Sequence, residues 1–295
     1  MSSMTATMRI LEPYPGLYAY YDGRIEGKRL YSEQSNWLDD GAYSLGIAAY
    51  ALVDGRQAVV YDTHMSIEHA RAMRAHLESL GVTDIRVVLS HWHTDHVAGN
   101  EVFADSEIIA LALTAEMLRD NKEKLEADTP PIKPLVMPSF TFEKRLDLSL
   151  GARRIELHHF DIHSADGCVL WLPDEQILLA GDTVEDTVTY ISEPEHTAIH
   201  IRELARMATW PIRRILPNPG DPERIAAGGY EKSLIDANRG YLERLLDPEE
   251  RVRAADLSLE QFVADDLASG AILYFEPYEP VHRENLAAIN KAAAT

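Results

Sequence analysis

The chain has 295 residues, 46% of them apolar, enough to bury a sizeable core as one large domain or two modest ones. Its formal charge of −20 argues against nucleic acid or an anionic membrane as partner, and no stretch approaches the ~18 uninterrupted apolar residues of a membrane span. Cys168 is the lone cysteine, which excludes an internal disulfide and leaves N and O ligands for any metal. The stretch 1–9 lacks the charged-then-apolar layout of a secretory leader, so the expected compartment is the cytoplasm.

Residues 17–21 alternate and are expected to form the first strand, followed by a polar loop with Asn36-Trp37-Leu38-Asp39-Asp40-Gly41 as its turn-rich tip. The runs 47–53 and 58–61 flank Asp54-Gly55, a strong hairpin signal. Ser66 is placed to cap a helix that ends near Leu80, with Gly81 just beyond. His69 and His76, seven apart, share one face of that helix, expected to lie toward solvent. A strand over 85–90 follows, then a short strand over 107–110 and a helix over 114–126.

Four prolines within 129–138 demand a loop, read as a surface excursion rather than a linker. Strand signals return at 141–142, 146–150, 154–160, 169–172 and 177–180. A helix over 196–208 leads to a strand at 214–216, and the remainder is helical over 230–246, 259–268 and 279–293. This order suggests two mixed sheets packed face to face with helices outside.

The strand over 85–90 delivers His91-Trp92-His93-Thr94-Asp95-His96. In extended backbone, residues two apart point the same way, so His91 and His93 converge, while Asp95 and His96 fall on the following turn. Two further residues are suited to a metal site: His163 in the polar turn 161–167, and Asp182 after a glycine at the end of an apolar strand. Taken singly, His163 reads as a solvated loop histidine and Gly181-Asp182 as a common turn.

Taken together, His91-x-His93-x-Asp95-His96, the lone His163 and Gly181-Asp182 resemble the metallo-β-lactamase-fold hydrolases. Asp62-Thr63 matches the family's Asp-Thr-Gly turn, with His64 in place of glycine. The resemblance covers roughly residues 15 to 225. It implies an αββα four-layer sandwich of two mixed β-sheets flanked by helices, with 1–228 as the metallo-β-lactamase-like domain and 229–295 as a C-terminal helical extension packed on it. It further implies a binuclear site: His91, His93 and His163 on a first metal, Asp95 and His96 on a second, Asp182 bridging. The family closes this set with a histidine in a late turn. Here Pro217-Asn218-Pro219-Gly220-Asp221 puts proline at that place. The second position keeps three protein ligands and is expected to bind more weakly. Asn218 and Asp221 are candidate substitutes; His196, His200 and His282 are more remote ones.

Zinc is the expected cofactor, as one or two ions, with iron and manganese also compatible with such ligands. A divalent metal lowers the pKa of bound water, so the expected activity is hydrolysis by metal-bound hydroxide, with Asp95 orienting it and relaying its proton. The expected partner is a small ester, lactone, thioester or amide, with no residue assigned to bind it. Trp37, Trp92 and Tyr190 are equally placed to wall an apolar mouth or to fill core. The alternatives are a mononuclear iron, persulfide-dioxygenase-like enzyme using His91, His163 and Asp182, and a degenerate member that binds a ligand without turnover. The C-terminal helices are open to two roles, a homodimer interface or a cover over the cleft.

Overall fold

Residues 4–294 are described by a computed structural model, in which twelve strands form two sheets. The first sheet runs in spatial order β1 (Arg9–Tyr14), β2 (Leu17–Asp22), β3 (Ile47–Asp54), β4 (Gln57–Tyr61), β5 (Asp84–Val88), β6 (Glu107–Leu111) and β7 (Phe140–Phe142). It is antiparallel from β1 to β4 and parallel from β4 to β7. The second sheet contains β8 (Arg145–Leu150), β9 (Arg153–His159), β10 (Cys168–Leu172), β11 (Ile177–Gly181) and β12 (Arg214–Pro217), in the order β12-β11-β10-β9-β8. There only β11 and β12 pair in parallel.

The helices are α1 (Ile67–Ser79), α2 (Thr94–Val97), α3 (Ala112–Asp120), α4 (Lys122–Ala127), α5 (Thr197–Met207), α6 (Pro222–Ala226), α7 (Ser233–Leu246), α8 (Pro248–Ala254), α9 (Leu259–Phe262), α10 (Ala264–Ser269) and α11 (Tyr278–Ala293). Strand periodicity explains the layering. Along β3, Ala48, Tyr50 and Leu52 face the second sheet's Leu157 and Leu170, while Ala49 and Ala51 face Ala70, Met73 and Leu77 of α1. A strand buried on both faces has to be apolar throughout, as β3 is over most of its length. Leu204 and Met207 of α5, with Leu234 and Tyr241 of α7, join the cluster that contains the second sheet. The result is an αββα sandwich.

Two tyrosines hydrogen-bond across the sandwich: Tyr61 Oη donates to the Cys168 carbonyl and Tyr50 Oη to the Pro217 carbonyl, both at 2.5 Å. Ser66 caps α1 by accepting from His69 N–H, as its position predicts.

Several expectations are corrected. A strand precedes 17–21: β1 is an edge strand with a mostly exposed face, so it shows little apolar alternation. The tip near Asn36 is one helical turn, Leu38–Tyr43, held because the Asp39 carboxylate accepts from the N–H groups of Leu30, Tyr31 and Ser32. The helix expected over 114–126 breaks at Asn121 into α3 and α4, and that over 259–268 breaks at Val263 into α9 and α10. His69 is fully buried, bonded to Asp22 and Ser66, and His76 meets the Tyr20 hydroxyl at 2.9 Å. That face of α1 looks into the protein.

Among the described residues, no helix is long and apolar enough to cross a membrane.

Candidate metal centre

The site lies where the two sheets meet at their strand ends. The segment after β5 carries His91 and His93, and the single turn α2 carries Asp95 and His96. The turn after β9 brings His163, and Asp182 follows β11 directly. Local backbone makes this convergence happen. Gly181 has φ +57°, and a Cβ there would lie 2.9 Å from Ser90 Cβ, so Asp182 is delivered by the one residue that allows this approach. Asp62, His64 and His163 all hold positive φ, a sparsely populated state that the surroundings must enforce.

His91 Nε2, His93 Nδ1 and His163 Nε2 converge, with His93 Nδ1 2.9 Å from His91 Nε2 and 3.0 Å from His163 Nε2. A second group follows: His96 Nε2 lies 3.2 Å from Asp182 Oδ2 and 3.5 Å from Asp95 Oδ2. Asp182 Oδ2 stands between the groups, 4.0 Å from His91 Nε2 and 3.8 Å from His163 Nε2.

Outer partners fix which imidazole nitrogens face inward without a proton. The Ser90 hydroxyl donates to Asp62 Oδ2 at 2.6 Å, so it accepts from His91 Nδ1–H at 2.9 Å. His96 Nδ1–H donates to Asp62 Oδ2 at 2.9 Å. His163 Nδ1 faces two acceptors, the Tyr190 carbonyl at 3.1 Å and Glu185 Oε1 at 3.3 Å. In their neutral forms, all three rings therefore turn a lone pair toward the centre. Asp182 Oδ1, buried, has no hydrogen-bond partner. Converging lone pairs beside an orphaned carboxylate oxygen are a poor arrangement for protein alone and a fitting one for a cation.

Charge tells the same story. Burial, reinforced by the neighbouring imidazoles, holds His91 and His93 well below the ordinary histidine range, so both stay neutral. At His96, burial opposes the charge but Asp182, Asp95 and Asp62 outweigh it and push the group well up. The pull of those carboxylates toward positive charge at His96 is the pull a metal ion would meet.

The six expected ligands are thus brought together. The two candidate substitutes are not. Asn218 Nδ2 donates to Asp62 Oδ2 at 2.6 Å, behind His96 rather than in front of it. Asp221 caps α6, accepting from the N–H groups of Glu223 and Arg224. His282 pairs with Tyr241 Oη at 3.0 Å, and His64 stacks on His69. Pro219 lines the cleft with no side-chain ligand to offer.

Two residues escaped the sequence reading of the site. Asp62 had a signal, its place in the Asp-Thr turn. Glu185 had none: it is buried and reaches His163 through a loop braced by Asn238 and by the Tyr278 hydroxyl.

The centre opens into a cleft of about 800 Å³. Trp37, Trp92, Leu125, Tyr190 and Val281 supply apolar wall, and Lys124 lines the cleft together with the acidic residues Asp40, Asp128 and Glu284. All three aromatic residues with an open role thus border the cleft.

Residues 43–250 match the family model of the metallo-β-lactamase superfamily. The chain belongs to that superfamily. It is 25% identical over 185 residues to the Caenorhabditis elegans beta-lactamase-like protein 2 homolog, a match spanning 61% of this chain and 58% of that relative. Among solved structures, VMB-1 superposes with a TM-score of 0.62 at 16% identity, covering 80% of this chain and 97% of VMB-1. The metallo-β-lactamase from Pontibacter korlensis gives 0.60 at 16% identity, covering 80% and 99%. These likenesses establish the fold.

Proposed function

We propose that this superfamily member is a metal-dependent hydrolase of small, neutral carbonyl substrates: an ester, lactone, thioester or amide. The observation that carries the reading is the convergence of ring nitrogens of His91, His93 and His163, with Asp95, His96 and Asp182 beside them, at an open cleft. His91, His93 and His163 would hold the first metal, and His96, Asp95 and Asp182 the second, with zinc the preferred ion. A bound zinc supplies Lewis-acid activation of water and of the substrate's oxygen at neutral pH. The chain's own part is to orient, exclude water and move protons. Asp95, which borders the cleft, would take the proton released at attack and return it to the leaving group. Trp37, Trp92 and Tyr190 offer apolar wall, and the acidic residues of the cleft disfavour anionic substrates.

Residues 229–295 are proposed to serve this same domain. Asn238 of α7, Tyr278 and Asn285 of α11 all bond the loop that carries Glu185 and Tyr190, and Val281 and Glu284 of α11 border the cleft.

Pro219 favours one second reading: a single metal held by His91, His163 and Asp182, with iron running oxygen chemistry on a thiol-derived substrate. Metal-stripped protein, reloaded with zinc or iron in turn, separates the two. The hydrolase reading expects zinc-dependent turnover in a panel of p-nitrophenyl esters, lactones and thioesters, reduced ~10²–10⁴-fold in Asp95→Asn. Oxygen uptake with glutathione persulfide and iron, without hydrolysis, would replace it. Neither activity with either metal would leave a ligand-binding protein.

A further inference from the structure

A second cluster of ligand-type side chains lies outside the cleft. Asp161, Glu193, His196 and His200 each place a ligand atom within 4.8 Å of the others. None of the four borders the cleft described above. His196 ends the short helical turn Pro194–His196 and His200 sits in the first turn of α5, so their four-residue spacing puts both imidazoles on one side of the helix. Asp161 comes from the turn after β9, and Glu193 from the loop before that helical turn.

We propose that these four residues bind a divalent cation of the zinc class as a structural site, separate from the cleft. Three observations support it. His200 is 2% exposed, and its Nε2 makes no hydrogen bond although Asp161 Oδ1 lies 3.3 Å away. A buried, unpartnered nitrogen aimed at a carboxylate is what a shared ion resolves.

The spacings also fit. Four ligands at ~2.0–2.1 Å around a tetrahedral zinc stand about 3.3 Å apart. His196 Nδ1 is 3.2 Å from Asp161 Oδ1 and 3.5 Å from Glu193 Oε2, and His200 Nε2 is 3.3 Å from the same Asp161 oxygen.

Charge is the third. Two carboxylates with two neutral imidazoles balance one divalent ion, and two imidazoles favour zinc, cobalt or nickel over magnesium or calcium. The side chains of His196, Asp161 and Glu193 are partly exposed, which gives the ion a route in from solvent.

Such an ion would fasten the turn carrying His163 to the start of α5. Glu193 already leans that way, accepting from the Ala165 N–H at 2.9 Å. The role is to hold a loop, with all four positions closed by protein.

Position distinguishes this site from the cleft, so the wild-type protein tests it directly. Crystals grown with zinc at several molar equivalents per chain, enough to fill the cleft and this cluster together, measured across the zinc absorption edge, should show an anomalous peak between His196 Nδ1 and His200 Nε2, whatever the cleft contains. No peak there overturns the proposal and leaves an ion-pair network. In solution, His91→Ala/His93→Ala protein, dialysed after zinc loading, should retain a zinc that is lost when His196→Asn/His200→Gln is added. Equal retention in both proteins overturns it. Density in the crystal with no zinc retained on dialysis also overturns it, as binding at crystal concentration only.

Discussion

The carboxylate of Asp62 sits directly behind His96, with Oδ2 2.9 Å from the imidazole Nδ1. The same carboxylate accepts from Ser90 N–H at 2.7 Å and Ser90 O–H at 2.6 Å, and from Asn218 Nδ2 at 2.6 Å. One buried side chain thus sets the tautomer of His96 and, through the Ser90 hydroxyl, that of His91.

Asp62→Ala should therefore act on metal and fold together. Loss of the orienting partner is expected to weaken metal affinity ~10–100-fold. The buried donors left behind should cost about 1–3 kcal/mol of stability each. Titration against a zinc-competing chelator reads the first effect and urea unfolding the second. Unchanged zinc affinity in a folded variant would remove Asp62 from the site.

Glu185 plays the matching part for His163. Glu185→Gln keeps the shape but offers an amide that is able to turn an N–H toward His163 Nδ1. Zinc affinity is expected to fall ~10–100-fold, with a smaller drop for Tyr278→Phe, which frees only one acceptor of Glu185. Calorimetric titration of the three proteins checks the ranking, and equal affinities would refute it.

Pro219 borders the cleft without a ligand. In a His196→Asn/His200→Gln background, which removes the second cluster, the expected metal content of protein purified without added metal is therefore closer to one ion per chain than two, rising when Pro219→His is added. Elemental analysis decides: a parent already holding two in the cleft would show that three protein groups suffice for the second position.

His282 predicts a pH effect away from the cleft. Burial pushes it down to about 4, while an unfolded histidine titrates near 6.5. Between those values the unfolded chain takes up a proton that the folded one refuses. Stability should thus be complete above pH ~6.5 and fall as the pH drops toward ~4. Melting temperatures of wild type and His282→Phe across that window test it: the variant's acid-side slope should be shallower, and parallel slopes would count against the assignment.

What the sequence disclosed was whatever depended on local pattern. The hairpin of β3 and β4, the Ser66 cap and the histidine-rich segment each signal themselves within a few residues. The six ligand candidates were legible only together, through the resemblance that the His91–His96 segment, His163 and Gly181-Asp182 carry; singly, His163 and Asp182 read as ordinary turn residues. The brace around them was not. Glu185 is placed by contacts with Asn238 and Tyr278, far off in sequence, and nothing in its own neighbourhood marks it. His69 was misplaced for a related reason: helical spacing says which residues share a face, and only the Asp22 carboxylate opposite says that this face is inside. β1 lacked alternation because an edge strand with an open side has little to alternate against.

Four of the six candidate ligands follow β5 of one sheet, while His163 and Asp182 follow β9 and β11 of the other. An ion gripped by both acts as a rivet through the rim of the sandwich. The mating of the two halves is then coupled to the activity of free metal around the protein, since whatever binds only the folded state deepens its well. Metal scarcity would reach this chain twice, first as lost chemistry and then as a looser joint between its two layers.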